Sequence, residues 1–318
     1  MVDKGPVARE SRAKHADGRG GSIPGTPSGQ PAFTLTLRDP APVPVLLAVP
    51  HAGRAYPAEF AEIMRNQAAA CVRLEDRFVD LVAEAVARET RAALLVAHAP
   101  RAMVDLNRAP DDIDWDMVVG GPSERRVRHA AGRRARSGLG LVPRRLPGLG
   151  ELWRRRLAYD DLAARIEHVH QPYHAALAAG LERLRDRWGA ALLIDLHSMP
   201  PLGPKRGHDP APDFVIGDRF GASCDAALSA AAFDHFTVAG RRVAHNRPYA
   251  GGYVLDRHGA STRGVHAMQV EICRSTYLDA QLREPGPGLA AVARVLAGLV
   301  RRMAEELAAG RSLPQAAE

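Results

Sequence analysis

The feature that most constrains this chain is a set of apolar runs that each end in polar side chains capable of chemistry. Residues 190–200 read Ala-Ala-Leu-Leu-Ile-Asp-Leu-His-Ser-Met-Pro. The compact run Leu192 to Ile194 predicts a buried strand, and it delivers Asp195, His197 and Ser198 into a turn closed by Pro200 and Pro201. Ligands of open α/β sheets bind in the crevice outside the carboxyl ends of the strands, so a polar trio at such an exit is a place for chemistry. A single histidine there is more often a hydrogen-bonded side chain at a sheet edge. The pattern repeats, however. Val45 to Val49, with Pro44 just ahead where a strand tolerates proline, exits into Pro50-His51-Ala52-Gly53. A third run, Ala102-Met-Val104, leads into Asp105-Leu106-Asn107-Arg108. In a parallel sheet these three exits bring His51, Arg108 and His197 to one edge.

The remaining elements supply such a sheet. Residues 1–31 mix Gly, Pro, Ser and charges without a period and read as a disordered tail, and residues 311–318 as a second tail; one α/β domain is expected over 32–310. Pro57 opens a short helix over 58–64. Leu74, Phe78, Leu81, Val82, Ala85 and Val86 then form an amphipathic stripe that predicts a helix, with Glu75, Asp76 and Asp80 outside the stripe. Ala92 to Ala97 is the next strand. The stretch 109–150, rich in Pro, Gly and Arg, reads as a long excursion placed to cover a site. Leu152 to Trp188 is helical in period but interrupted by Pro172, which predicts two helices. Phe214 to Ile216 and Phe236 to Val238 read as short strands around a helix near 223–232. Met268 to Cys273 alternates like a strand, and Leu289 to Leu307 closes the fold as a helix. Between them, the loop from Asn246 through Arg247 to Tyr253 carries paired glycines, Gly251 and Gly252, where a ligand can approach the backbone closely. Strands alternating with helices predict a three-layer α/β sandwich with a mixed, mainly parallel central sheet.

Composition narrows the function classes. Three distant cysteines in 318 residues, none in Cys-x-x-Cys spacing, argue against a thiolate metal site and for a reducing compartment, with the cytoplasm expected. No apolar stretch reaches the roughly 18 residues that span a bilayer, so no membrane partner is expected. The net charge is +7, yet only Lys4, Lys14 and Lys205 are lysines, which reads as base composition rather than selection for a polyanion. Arg125 to Arg136 and Arg154 to Arg156 keep an arginine-rich nucleic-acid binder as the rival of another class. They lack the interleaved aromatics of single-strand binders, and a solvated face is the preferred reading.

Two histidines at strand exits and one carboxylate make a catalytic zinc constellation, three protein ligands with a fourth position left for water. Asp76 is the candidate carboxylate and Glu75 its rival, since spacing does not choose between them. Zinc suits this donor set best, with Mn²⁺ and Fe²⁺ still open. Glu271 alternates against Val270 and Ile272, which puts a carboxylate inside or at the rim of an apolar strand. Either it pairs with Arg274, or it is a general base beside a metal-activated water, its pKa raised by desolvation.

Pro50-His51-Ala-Gly53, Glu75-Asp76-Arg-Phe-Val-Asp80, Val104-Asp-Leu-Asn-Arg108, Tyr173-His174, Asp195-Leu-His197-Ser198, Pro212-Asp213-Phe214, Gly251-Gly252-Tyr253 and Gln269-Val-Glu-Ile-Cys-Arg-Ser-Thr-Tyr277 together resemble the N-formylglutamate amidohydrolase family. The likeness runs in order from about Val45 to Leu278. It implies a fold similar to the zinc carboxypeptidases and metal-dependent hydrolysis of N-formyl-L-glutamate to formate and glutamate in histidine breakdown. Another N-acyl amino acid or a small peptide is the alternative substrate. Carried onto this chain, the resemblance implies His51, Asp76 and His197 as metal ligands, Glu271 as general base and Arg108 as a clamp for a substrate carboxylate. Arg247, Arg263 and Arg274 are further clamp candidates. Asp80 and Asp195 are expected to hydrogen-bond the ligand imidazoles, and His174 either joins them or packs within its helix. The chain departs from the carboxypeptidases at Arg54, where those enzymes place a metal-binding Glu three residues after the first His.

Overall fold

The computed structural model describes residues 14–26, 29–120, 132–205 and 210–309. Its centre is a mixed sheet of eight strands: β1 (Lys14–Gly20), β2 (Phe33–Asp39), β3 (Val45–Val49), β4 (Ala93–Ala97), β5 (Ala191–Met199), β6 (Phe214–Gly217), β7 (Val243–His245) and β8 (Val265–Cys273). The spatial order is β1-β2-β4-β3-β5-β8-β6-β7. The four central strands β4, β3, β5 and β8 are parallel, while β2 and β6 run against them. The expected three-layer sandwich is therefore present, with its antiparallel pairs confined to the flanks.

Both faces of the sheet are covered, which is why the central strands read as continuous apolar runs. Helices α1 (Ala58–Glu62), α2 (Gln67–Leu74) and α3 (Val79–Thr90) follow β3, and α4 (Arg133–Arg136) lies in the excursion. Next come α5 (Tyr159–Arg165), a π-helical turn (Ile166–His170) and α6 (Gln171–Trp188), then α7 (Ala226–Val238), α8 (Tyr253–His258) and α9 (Leu289–Ala309). Leu47, Ile194, Val270 and Ile272 pack toward α3, α7 and α9, with Val82, Phe236 and Leu296. The alternate residues Leu46, Leu95, Leu193 and Ala267 pack toward α6, with Tyr173, Leu177 and Leu181. Each such side chain stabilises the fold by about 1.5–3 kcal/mol when buried. Against that background Asp195, His197 and Ser198, all buried within β5, are expensive placements.

Several elements differ from the sequence expectation, each for a local reason. The stripe from Leu74 to Val86 is two helices, because Phe78 adopts a left-handed φ of 57° and the Asp76 N–H donates to the His51 carbonyl at 2.9 Å. Asp76 thus sits in a link between helices rather than on one. Ala102 to Val104 is a turn, not a strand; three apolar residues are too few to set a period. Phe236 to Val238 is the last turn of α7, where Phe236 stacks on Phe214 with ring centres 4.4 Å apart. The edge strand there is β7, whose half-exposed residues show no apolar run. Pro172 stands at the start of α6, which the π turn joins to α5 without a break, and the His168 carbonyl that the proline leaves without its i+4 donor accepts from the Ser22 N–H at 2.9 Å. Residues 14–20, expected to be disordered, pair with β2 along seven positions. Residues 1–13, 27–28, 121–131, 206–209 and 310–318 lie outside the described residues, and with them part of the expected N-terminal tail, all of the expected C-terminal tail and Arg125 to Arg128.

Candidate active site

The carboxyl ends of β3, β5 and β8 meet at one edge, as parallel pairing requires. β5 and β8 run in register so that His197 lies beside Glu271 and Asp195 beside Gln269. Because side chains alternate across a strand, these four groups share a face. His51 arrives from the turn after β3, and Asp76 from the link between α2 and α3. One donor atom from each of His51, Asp76 and His197 lies within 4.8 Å of the others, and all three residues are buried.

Both imidazoles are backed by carboxylates on their far sides. His51 Nε2 donates to Asp105 Oδ1 at 2.7 Å and His197 Nε2 to Asp195 Oδ2 at 2.9 Å. Those bonds place the ring protons on Nε2, so each Nδ1 presents a lone pair to the same atom, Asp76 Oδ2, at 3.4 Å for His51 and 3.0 Å for His197. His51 Nδ1 is buried without a hydrogen-bond partner. Three electron-rich atoms facing one point repel unless a cation lies among them. This is the donor chemistry of a divalent metal site, and the residues fit one. Without such an ion a proton serves. Although burial opposes it, Asp195 and then Asp76 hold His197 protonated far above the ordinary imidazole range, and the two histidines hold Asp76 ionised far below the usual carboxylate range.

Glu271 sits at the floor of this cluster, where burial pushes its carboxyl up to about 7 despite the charge on His197, and Asp76 adds to the rise. It accepts from Gln269 Nε2 at 2.8 Å and makes no ion pair with Arg274. Arg274 instead donates to Ser198 Oγ, to the carbonyls of Val72 and Glu75, and to Asp76 Oδ1, which leaves it holding Asp76 rather than free to clamp a ligand.

The cluster opens into a cleft of about 300 Å³. Arg73, Arg101, Arg108 and Arg134 reach this cleft, as do Tyr249, Gly251 and Gly252. Arg108 uses Nε on the Leu139 carbonyl and Nη1 on the Asn107 carbonyl, and Arg101 uses Nε on Asp105 at 2.9 Å. Gly252 is required by packing: a Cβ there would stand 2.5 Å from Asn107 Oδ1, the atom that accepts from Val254 N–H. The excursion does cover the site, through Arg134, Leu139 and Leu146.

Other expected residues lie elsewhere. Asp80 is held by both terminal guanidinium nitrogens of Arg54, at 3.0 and 2.6 Å, and touches neither imidazole; the position that departs from the carboxypeptidases is thus spent on a salt bridge. Glu75 turns away to Tyr56 and Arg77. His174 donates to the Leu106 carbonyl and accepts from His258, away from His51 and His197. Asn246 is taken up by Asp218 through both ends of its amide, and Arg247 is exposed outside the cleft. Arg263 precedes β8 at the opposite end of the sheet, eight positions before Glu271 and so roughly 25 Å from the site along an extended strand. The sequence reading missed Asp105, Arg101 and Asn107. The polar exit 105–108 was the available signal, but nothing local says which way each side chain turns.

Residues 43–278 match the model of the N-formylglutamate amidohydrolase family. The chain belongs to that family of amide hydrolases. It is 31% identical over 272 residues to N-formylglutamate deformylase of Pseudomonas aeruginosa, covering 84% of this chain and 93% of that one. The deformylase of Pseudomonas putida is 29% identical over 241 residues, 74% of this chain and 82% of the other. Among solved structures, N-formylglutamate amidohydrolase from Ralstonia eutropha JMP134 superposes with a TM-score of 0.77 at 33% identity, covering 88% of this chain and 99% of that one. A gene product of Agrobacterium tumefaciens shares the fold at 18% identity and a TM-score of 0.63, over 87% and 96% of the two chains. The family match spans every residue of the buried cluster. No helix among the described residues is long and apolar enough to cross a membrane.

Proposed function

We propose that this family member hydrolyses N-formyl-L-glutamate to formate and L-glutamate with one divalent metal ion, zinc by preference. The observation that carries the reading is the convergence of His51, Asp76 and His197 beside the buried Glu271, in a cleft rimmed by arginines. His51, Asp76 and His197 would hold the ion, which when bound supplies Lewis acidity, lowering the pKa of water and polarising a formyl oxygen. Asp105 and Asp195 orient the two imidazoles and turn each Nδ1 toward Asp76 Oδ2, where the three groups would hold the ion. Glu271, with a pKa near neutrality, takes the proton from the attacking water and returns it to the departing amine of glutamate. The substrate is a dicarboxylate, and Arg108, Arg101 and Arg134 supply cationic N–H groups at the cleft to receive it. Gly251 and Gly252 let backbone approach the ligand. The reading places the protein in the cytoplasm, where its three free thiols stay reduced.

The test is formate release from N-formyl-L-glutamate beside N-acetyl-L-glutamate, before and after chelation and zinc re-addition. Release from the formyl compound alone, lost on chelation and regained with zinc, supports the whole proposal. Release that is indifferent to chelation removes the metal from it, and release only from the acetyl compound removes the formyl specificity.

A further inference from the structure

The catalytic cleft leaves Arg165 unexplained. This last residue of α5 is only 6% exposed, and among the described residues no carboxylate forms an ion pair with it. Nη1 donates to the Met103 carbonyl at 3.1 Å, and the guanidinium carbon stands 5.2 Å from the centre of the Phe60 ring. Asp161, one helical turn earlier and exposed, acts on it only through space. A buried cation with one backbone acceptor and one ring face is an incomplete arrangement, because a guanidinium carries five N–H donors. Burial draws its pKa down to about 10, so it is still charged at neutral pH.

Arg165 borders a second cavity of about 290 Å³, separate from the catalytic cleft. Its walls are apolar: Met117, Leu157 and the ring of Trp153, whose indole N–H is already spent on the Pro143 carbonyl. Arg155 and Arg156 add two exposed cations at its rim against the single carboxylate of Asp161.

We propose that this cavity binds an organic monoanion, a carboxylate carried on an apolar body, with the carboxylate on Arg165 and the body against Trp153 and Leu157. The two halves of the site select that class jointly. A neutral apolar molecule leaves the cation without a partner, and an inorganic anion leaves the apolar walls wet. A cavity of about 150 Å³ accommodates benzene, so 290 Å³ has room for a benzoate or a short fatty carboxylate.

Isothermal titration calorimetry of the full chain with hexanoate and benzoate, and with hexanol and benzyl alcohol as uncharged counterparts, tests this. The carboxylates are expected to bind at one site, the alcohols about tenfold or more weaker, and Arg165→Met to lower carboxylate affinity by about tenfold or more. Val119→Trp, at an exposed position on the cavity wall, is expected to block binding without touching Arg165, so the test survives if Arg165→Met fails to fold. Arg108→Ala, in the catalytic cleft, is expected to leave the affinity unchanged. No binding of either carboxylate at millimolar concentration overturns the proposal. So does binding that persists in both cavity variants, or binding that Arg108→Ala abolishes.

Discussion

A carboxyl group such as Glu271, buried beside His197 at the cleft and lifted to a pKa of about 7, sits where its proton moves readily at neutral pH. Glu271→Gln keeps the shape and removes that movement, so turnover is expected to fall by about 10²–10⁴-fold while bound metal, measured by elemental analysis, is retained. Near-normal turnover in this variant removes the general-base role. The sign of the pH dependence follows from the same group. A base must be ionised to act, so kcat/KM rises with pH through the Glu271 pKa to a plateau, with the limb at or below about pH 7 because a bound cation favours the ionised form. His197→Ala is expected to lose metal and activity together, since it removes one of three donors and leaves Asp195 and Asp76 facing a void. Arg108→Ala and Arg101→Ala are expected to raise KM by about tenfold or more with a smaller change in kcat; an unchanged KM for both moves the carboxylate contact to Arg134 or Arg73.

The turn from Pro100 to Arg108 is the element that gathers the site, though it has no regular secondary structure. Asp105 backs His51, Arg101 steadies Asp105, and Asn107 lies between His197 and Gln269. Asp105→Asn is expected to weaken metal binding by about 10–100-fold, read by competition with a chromogenic chelator, with the fold intact by circular dichroism. Behind the turn stand three histidines. His170 donates to the Arg108 carbonyl, His174 to the Leu106 carbonyl, and His258 to His174. Burial lowers His174 to about 2 and His258 to about 3, with neighbouring cations adding to the effect. Their folded pKa values lie below the unfolded 6.5, so the unfolded chain binds more protons as the pH drops, and stability present above about pH 6.5 is lost on acidification. At pH 5 each histidine costs up to about 2 kcal/mol relative to neutral pH. Urea midpoints between pH 7 and 5 check this; a His258→Gln variant should show the shallower slope. None of this was legible locally. Apolar runs and alternation reveal strands and their exits, which is why β3, β5 and β8 and the positions of His51 and His197 at one sheet edge could be read from the chain. The partners of Asp80, Asn246, Arg263 and Arg274 depend on which end and face of the sheet each reaches, and no spacing encodes that.

Taken as a whole, the molecule is a parallel centre with antiparallel margins, and the margins protect what the centre displays. β1 covers the edge of β2, and a Cβ at Gly20 would strike the ring of Phe33, which meets Tyr173 of α6 edge to face. Removing residues 1–20 is expected to lower the melting temperature by about 5–10 °C and to promote association by light scattering, because β2 becomes an open edge, while metal content stays unchanged. A loss of metal in that variant contradicts the separation of margin and centre. The sandwich and its sheet were foreseeable from alternating runs, whereas β1 was not, since its residues carry no apolar period and are placed by their pairing with β2. The π turn at Ile166–His170 has a wider reach. One residue more than an α-helical turn needs displaces the helix phase by about 100°. Upstream of it Arg165 borders one cavity, while its last residue His170 and, one turn on, His174 hold the turn from Pro100 to Arg108. The extra residue thus works as a phase shifter within a single rod. A one-residue deletion between 166 and 170 would make a better helix and a misaligned protein, so the chain's length there is under constraint even where the identity of its side chains is not.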